Sequence, residues 1–197
     1  PMNPTKMESE IEKTAHALCH FVREYNIKKI VFIDVGLDVT QKRNNLKEFK
    51  RDEIVLYSCL QSRVPLEIIG IGPGADGHDV PTEVAQKAEM KGFVSLTNQH
   101  FLNIFNSRIS QLLEISPTLL NPGRANRIFL DASKLTNTNS IEDIEKNKIY
   151  FEDQLAKRTE MNRNTKLTFD DILLMGKMFK LEESTEKRNQ FFCSEEW

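Results

Sequence analysis

Apolar positions along the first part of the chain change period. From 8 to 26, Ile11, Ala15, Leu18, Phe21, Val22 and Tyr25 recur at helical spacing, which predicts an amphipathic helix. Ile30, Val31, Phe32 and Ile33 then follow without a break, behind Lys28-Lys29 and ahead of Asp34-Val35-Gly36. A short β-branched and aromatic run closed by a turn signal predicts a strand buried on both faces. The polar, basic stretch 40–50 reads as an exposed loop, and 51–62 as a helix with Ile54, Val55, Leu56 and Cys59 inward. Residues 65–71 (PLEIIGI) predict a second strand running into GPGADGHDVP, the most glycine-rich stretch of the chain. Pro81 suits the first turn of a helix that ends near Lys91-Gly92.

The strongest helical stripe lies between 97 and 115, where Phe101, Ile104, Phe105, Ile109, Leu112 and Leu113 share one face. Two prolines and a glycine between 116 and 124 turn the chain, and Arg127–Ala132 (RIFLDA) predicts a third strand. Residues 141–158 read as a charged helix and 161–166 as a polar linker. Thr168 caps a last helix, with Asp170 and Asp171 in its first turn and Phe169, Ile172, Leu173, Met175 and Phe179 as its apolar positions. Helices alternating with short apolar strands predict an α/β, Rossmann-like three-layer sandwich with a short, mostly parallel sheet. The expected division is an α/β core over 8–135 carrying the glycine-rich loops, and a helical extension over 136–197 packing on it. Three strands are few for this architecture, which leaves room for undetected strands, a longer parent protein or completion by an oligomer partner.

Composition narrows the classes. The chain has 197 residues, 39% hydrophobic and 28% charged, enough for one domain without a metal or disulfide staple. A net charge of -2 gives no general attraction to nucleic acid or anionic membrane. Cys19, Cys59 and Cys193 are odd in number and lack CxxC spacing, so reduced thiols in the cytoplasm are the simplest reading. No apolar run is long enough for a membrane-spanning helix, and the first residues lack the apolar stretch of a secretory signal. Pro1 ahead of Met2 reads as a cleavage scar, or as a start inside a longer protein.

Candidate chemistry gathers where the first two strands end. The first loop carries Asp34, Gly36 and Asp38; the second carries Gly72, Gly74, Asp76, Gly77, His78 and Asp79. In open parallel sheets ligands bind beyond the carboxyl ends of the strands. Glycines before a helix start let backbone N–H groups hold an anion, but Asp76 and Asp79 would repel a bare phosphate. Three solutions are open: Mg²⁺ bridging the carboxylates of Asp34 and Asp76 to a phosphate, carboxylates binding ribose hydroxyls or an amine, or Asp79 serving only as a helix cap. His78 is the candidate acid/base, with an inert loop histidine as the plain alternative. The pattern matches neither GxGxxG nor a Walker A loop, and gives no support to NAD. His16 and His20, at i and i+4, are a metal pair or else surface or core histidines, and Cys59 a core thiol or a nucleophile. The basic positions Lys42, Arg43, Lys47, Lys50 and Arg51 are a solvated loop or a phosphate attractor, with nucleic-acid binding ranked last.

Ile33-Asp34-Val35-Gly36-Leu37-Asp38 followed by Gly72-Pro73-Gly74-Ala75-Asp76-Gly77 resembles the family called domain of unknown function 1152. That family has an Asp-Val-Gly-Gly-Asp strand end, a Ser-Pro-x-x-Asp helix start and a Gly-Pro-Gly-x-Asp-Gly-Glu loop. Here Leu37 stands for the second glycine, His78 for the glutamate, and Arg51-Asp52 falls at the helix start without Ser-Pro. Arg127–Ala132 and Leu181-Glu182-Glu183 are similar in a less specific way. The likeness spans most of the chain but only the carboxyl-terminal part of the family, whose longer members begin with another glycine-rich segment. It implies a Rossmann-like fold and a small-molecule site, and no known reaction.

Two functions follow. The first is binding of a small polar or phosphorylated, nucleotide-like metabolite, with Asp34, Asp38, Asp76 and Asp79 lining the site, Gly36, Gly72, Gly74 and Gly77 supplying backbone, and hydrolysis or group transfer as the fitting chemistry. The second is a non-enzymatic interaction protein on a degenerate enzyme-like fold, with Phe191, Phe192 and Trp197 as a docking tail for a protein or a second copy.

Overall fold

The computed structural model describes residues 4–37, 51–77, 79–96, 108, 111, 121, 124–138, 141–156 and 166–182. The first helix, α1 (Pro4–Glu24), leads into strand β1 (Ile30–Val35). Helix α2 (Arg51–Gln61) then crosses over to β2 (Leu66–Ile71). The two strands pair in parallel, from Ile30 opposite Leu66 to Val35 opposite Ile71. Helix α3 (Pro81–Met90) starts on a proline, which needs no N–H in a first turn, and is followed by β3 (Phe93–Leu96). Helices α4 (Ala125–Thr138), α5 (Ile141–Ala156) and α6 (Phe169–Met175) precede the last strand, β4 (Met178–Leu181).

The sheet is mixed, in the order β1-β2-β4-β3. β4 is antiparallel to both β2 and β3, so only the β1–β2 pairing is parallel and the expected mostly parallel sheet is corrected. Arg127–Ala132, expected as a strand, lies inside α4. The reason is periodic: Ala125, Ile128, Phe129 and Ala132 are all buried at helical spacing, and Arg127 bonds Asp131 one turn on. The last helix does not run to Phe179: it stops at Met175, Gly176 caps it, and Phe179 belongs to β4. Residues after 136 therefore supply an interior strand as well as helices.

One sheet face, with Phe32, Ile68, Phe93, Phe179 and Leu181, packs on Leu56 and Cys59 of α2 and Val84, Ala85 and Ala88 of α3. On the other face Ile69, Ile71 and Met178 meet Phe129 of α4, whose full burial contributes about 2–3 kcal/mol of transfer free energy. Behind Phe129, α4, α5 and α6 share a second core through Ile128, Ile144, Phe151, Leu155, Ile172 and Met175. β1 is not buried on both faces: Val31 and Ile33, on the face opposite Phe32, are 45% and 46% exposed, and β1 is an outer strand of the sheet among the described residues. Val55 likewise faces outward on α2. The predicted stripe at 97–115 falls almost wholly outside the described residues, as do the 40–50 loop and the tail with Phe191, Phe192 and Trp197.

Candidate functional site

The parallel register brings the ends of β1 and β2 side by side. Gly36 donates its N–H to Ile71 O at 2.9 Å and accepts from Gly74 N–H at 2.9 Å, so the two loops are stitched through one residue. Asp76 lies over this stitch. A Cβ built on Gly36 would stand 2.6 Å from Asp76 Cγ, so only a glycine backbone admits the carboxyl group there. Asp34 is two residues before Gly36 in β1, in register with Gly70. Both acids are buried, Asp34 at 3% exposure and Asp76 at 4%.

Leu37 closes the seam. It is fully buried with φ +59°, a left-handed conformation that costs a leucine about 1–2 kcal/mol. Its side chain folds back onto β2, where a Cβ on Gly70 would meet Leu37 Cδ1 at 1.7 Å. The position at which the resembled family has a second glycine thus holds glycine-like backbone here, and the leucine side chain is used as packing.

The second loop is closed on itself. Gly72 N–H goes to Lys177 O, Ala75 N–H to Gly72 O and Gly77 N–H to Gly74 O, at 2.8–2.9 Å. With Gly74 N–H on Gly36, the amides expected to hold an anion at Gly72, Gly74 and Gly77 already donate to carbonyls. Packing accounts for two of these glycines: a Cβ at Gly72 would touch Phe129 Cβ at 3.0 Å, and one at Gly74 would touch Asp79 O at 2.9 Å.

The start of α3 is also taken. Its N-cap is Val80, with no side-chain cap, so Asp79 does not cap this helix. Thr82 N–H donates instead to Asp171 Oδ1 at 3.1 Å, from α6. Asp171, only 2% exposed, accepts through Oδ2 from Thr168 N–H (2.8 Å) and Thr168 Oγ1 (2.7 Å). The spacing Thr168-x-x-Asp171 was visible in the sequence as a cap; its reach to α3 was not, because the two are 89 residues apart. Asp38 and His78 lie outside the described residues.

Other candidates resolve plainly. Cys59 is core, and burial pushes its thiol pKa up, away from a nucleophile's. His16 and His20 are exposed on α1, beside a cavity of about 610 Å³ also lined by Cys19, Arg23 and Glu24. His20 Nδ1 is 3.5 Å from Glu24. Among the described residues no three His, Cys, Asp or Glu side chains stand together as a metal centre, and no helix is long and apolar enough to cross a membrane.

Fold and site together define an α/β chain with two buried carboxylates at adjoining parallel strand ends. Comparison with family models, with curated proteins and with solved structures finds no match.

Proposed function

We propose that this chain binds a small polar metabolite beyond the carboxyl ends of β1 and β2, and that Asp34 and Asp76 are its functional groups. The observation that carries this reading is the burial of two carboxylates where adjacent parallel strands end, one of them seated on Gly36. Removing a carboxylate from water costs several kcal/mol, and ligand sites are where proteins accept such costs. Because the amides of Gly72, Gly74, Ala75 and Gly77 are engaged, a phosphate is recognised through Mg²⁺ rather than directly by the glycine loop. Mg²⁺ suits one or two carboxylates completed by water and phosphate oxygens. A nucleotide or other phosphorylated metabolite is therefore the ligand class, and hydrolysis or group transfer the fitting chemistry. The β1–α2–β2 crossover, with helices against both sheet faces, supports a Rossmann-like three-layer reading, as does the likeness of both loops to the family named above. The free thiols of Cys19 and Cys59 fit the reducing cytoplasm.

The test is thermal stability with Mg²⁺ alone, nucleotide alone and both, for wild type, Asp34→Asn and Asp76→Asn. A ligand at a hundredfold excess over its dissociation constant adds about 2.7 kcal/mol, an easily read shift. The reading expects the combination to stabilise wild type and neither variant. Nucleotide stabilisation that needs no Mg²⁺ and survives both substitutions contradicts it. The second reading, an interaction protein on an enzyme-like scaffold, is favoured by the closed glycine loop.

A further inference from the structure

We propose that two copies of this chain associate edge to edge through β1, antiparallel about a two-fold axis at Phe32, so that their sheets become one. β1 is an outer strand of the sheet among the described residues. Ile30 N–H and Gly36 N–H bond to Pro65 O and Ile71 O, on the β2 side. Main-chain groups alternate along a strand, so those of Val31, Ile33 and Val35 face the open edge. The same alternation sends these side chains to the face opposite Phe32, where Val31 and Ile33 are nearly half exposed.

Natural sheets blunt such edges with a proline, an inward charge, a bulge or a very short strand. β1 has no proline, no bulge and no truncation: its six residues pair with β2 throughout, its one charge, Asp34, is buried on the Phe32 face, and positions 31, 33 and 35 are all aliphatic. The outer strand at the other side, β3, has four residues and exposes Ser95 beside Val94.

A second copy is the partner because the edge is self-complementary, as a two-fold interface requires. With the axis at Phe32, Val31 of one copy stands opposite Ile33 of the other, twice. Main-chain parity makes these the hydrogen-bonded pairs of an antiparallel ladder, and the exposed aliphatic side chains cover one another. Lys29 falls opposite Val35, and its ammonium is held by Glu67 of its own chain, so no like charges meet in this register. A six-residue edge alone buries less than the roughly 1,200 Å² of a stable interface. An interface of that size is weak and concentration-dependent, so the dimer is sought at high chain concentration.

The experiment measures mass by sedimentation and amide hydrogen exchange on the full chain, for wild type, Val31→Lys, Ile33→Lys and the control Val94→Lys. Expected is a wild-type mass twice that of the chain, with Val31 and Ile33 amides protected. Each β1 lysine variant should fall to the monomer mass and lose that protection, with an unchanged thermal midpoint extrapolated to low concentration; Val94→Lys should remain dimeric. A monomeric wild type with fast-exchanging Val31 and Ile33 amides overturns the proposal and gives the edge to another partner. So does a dimer that survives both β1 substitutions.

Discussion

Gly70→Ala probes the seam that holds the end of β1 against β2. Gly70 is not among the residues with positive φ, so alanine there adds no backbone strain and the effect is one of space. Its Cβ would stand 1.7 Å from Leu37 Cδ1 and 2.8 Å from Leu37 Cγ, far inside the usual carbon–carbon contact of about 3.5–4.0 Å. Leu37 is fully buried, so its side chain has no solvent to retreat into. Overpacking of this kind costs about 1–3 kcal/mol. Leu37→Ala alone leaves a cavity and costs about 2–5 kcal/mol. In the double variant the new methyl occupies the space Leu37 has vacated. The pair should then be no less stable than Leu37→Ala, a coupling of about 1–3 kcal/mol against the sum of the single effects. Urea unfolding of the four proteins, with the denaturant slope held constant, reads this directly. Additivity within a few tenths of a kcal/mol would refute the account, since it would mean that Gly70 and Leu37 do not compete for one volume.

Asp171→Ala removes the acceptor of Thr168 N–H, Thr168 Oγ1 and Thr82 N–H, and should destabilise the fold by about 3 kcal/mol, from a lost cap and an amide of α3 left without its acceptor; an unfolding curve within 1 kcal/mol of wild type, at the order expected of a surface change, contradicts the tie between α3 and α6. Glu67 gives a pH prediction. The hydrogen bond from Lys29 first, and Lys180 after it, hold its carboxyl below the usual glutamate range against the opposing effect of burial. Its stabilising contribution is thus present above the ordinary glutamate pKa and disappears as pH falls through the depressed folded value. The urea midpoint of wild type should exceed that of Glu67→Gln near neutrality and converge with it only as pH falls below the depressed folded value; a gap constant through the acid limb speaks against the lysine clamp.

Much of the local structure could be read from the residues, and the misses share a cause. Helices α1, α2, α3, α5 and the start of α6 follow from apolar spacing, Pro81 and the Thr168 cap. β1 and β2 follow from β-branched runs ending in glycine. RIFLDA failed because a three-residue apolar run, Ile128-Phe129-Leu130, fits either period, and the deciding neighbour, Ala125, lay just outside the segment. MFKL was absorbed into the preceding helix because Phe179 continues its spacing; the stop is Gly176. The mixed sheet was invisible because β4 pairs with β2 across more than a hundred residues, and no local pattern encodes that partner. At the site, sequence placed Asp34 and Asp76 at strand ends. It could not show that the loops meet through Gly36, or that the glycine amides are already spent.

That last point decides how the glycines should be weighed. A glycine-rich loop after a strand invites a phosphate reading because free amides and missing side chains suit an anion. Here the missing side chains answer to the protein itself: Gly70 to Leu37, Gly72 to Phe129, Gly74 to Asp79 and Pro81, Gly36 to the Asp76 carboxyl group. The amides answer to carbonyls. The loop's composition is therefore explained by close packing and needs no ligand. Asp34 and Asp76 are different. A turn can be closed by asparagine or serine without confining a charge, whereas each of these carboxylates, below 5% exposure, carries a desolvation cost. If the acids serve only to brace the loops, their asparagine isosteres should match or exceed wild type in stability under every condition. If they serve a ligand, the isosteres should match wild type only when Mg²⁺ and nucleotide are withheld. The functional question thus moves from the glycines, where the sequence drew attention, to the two aspartates that the glycines make room for.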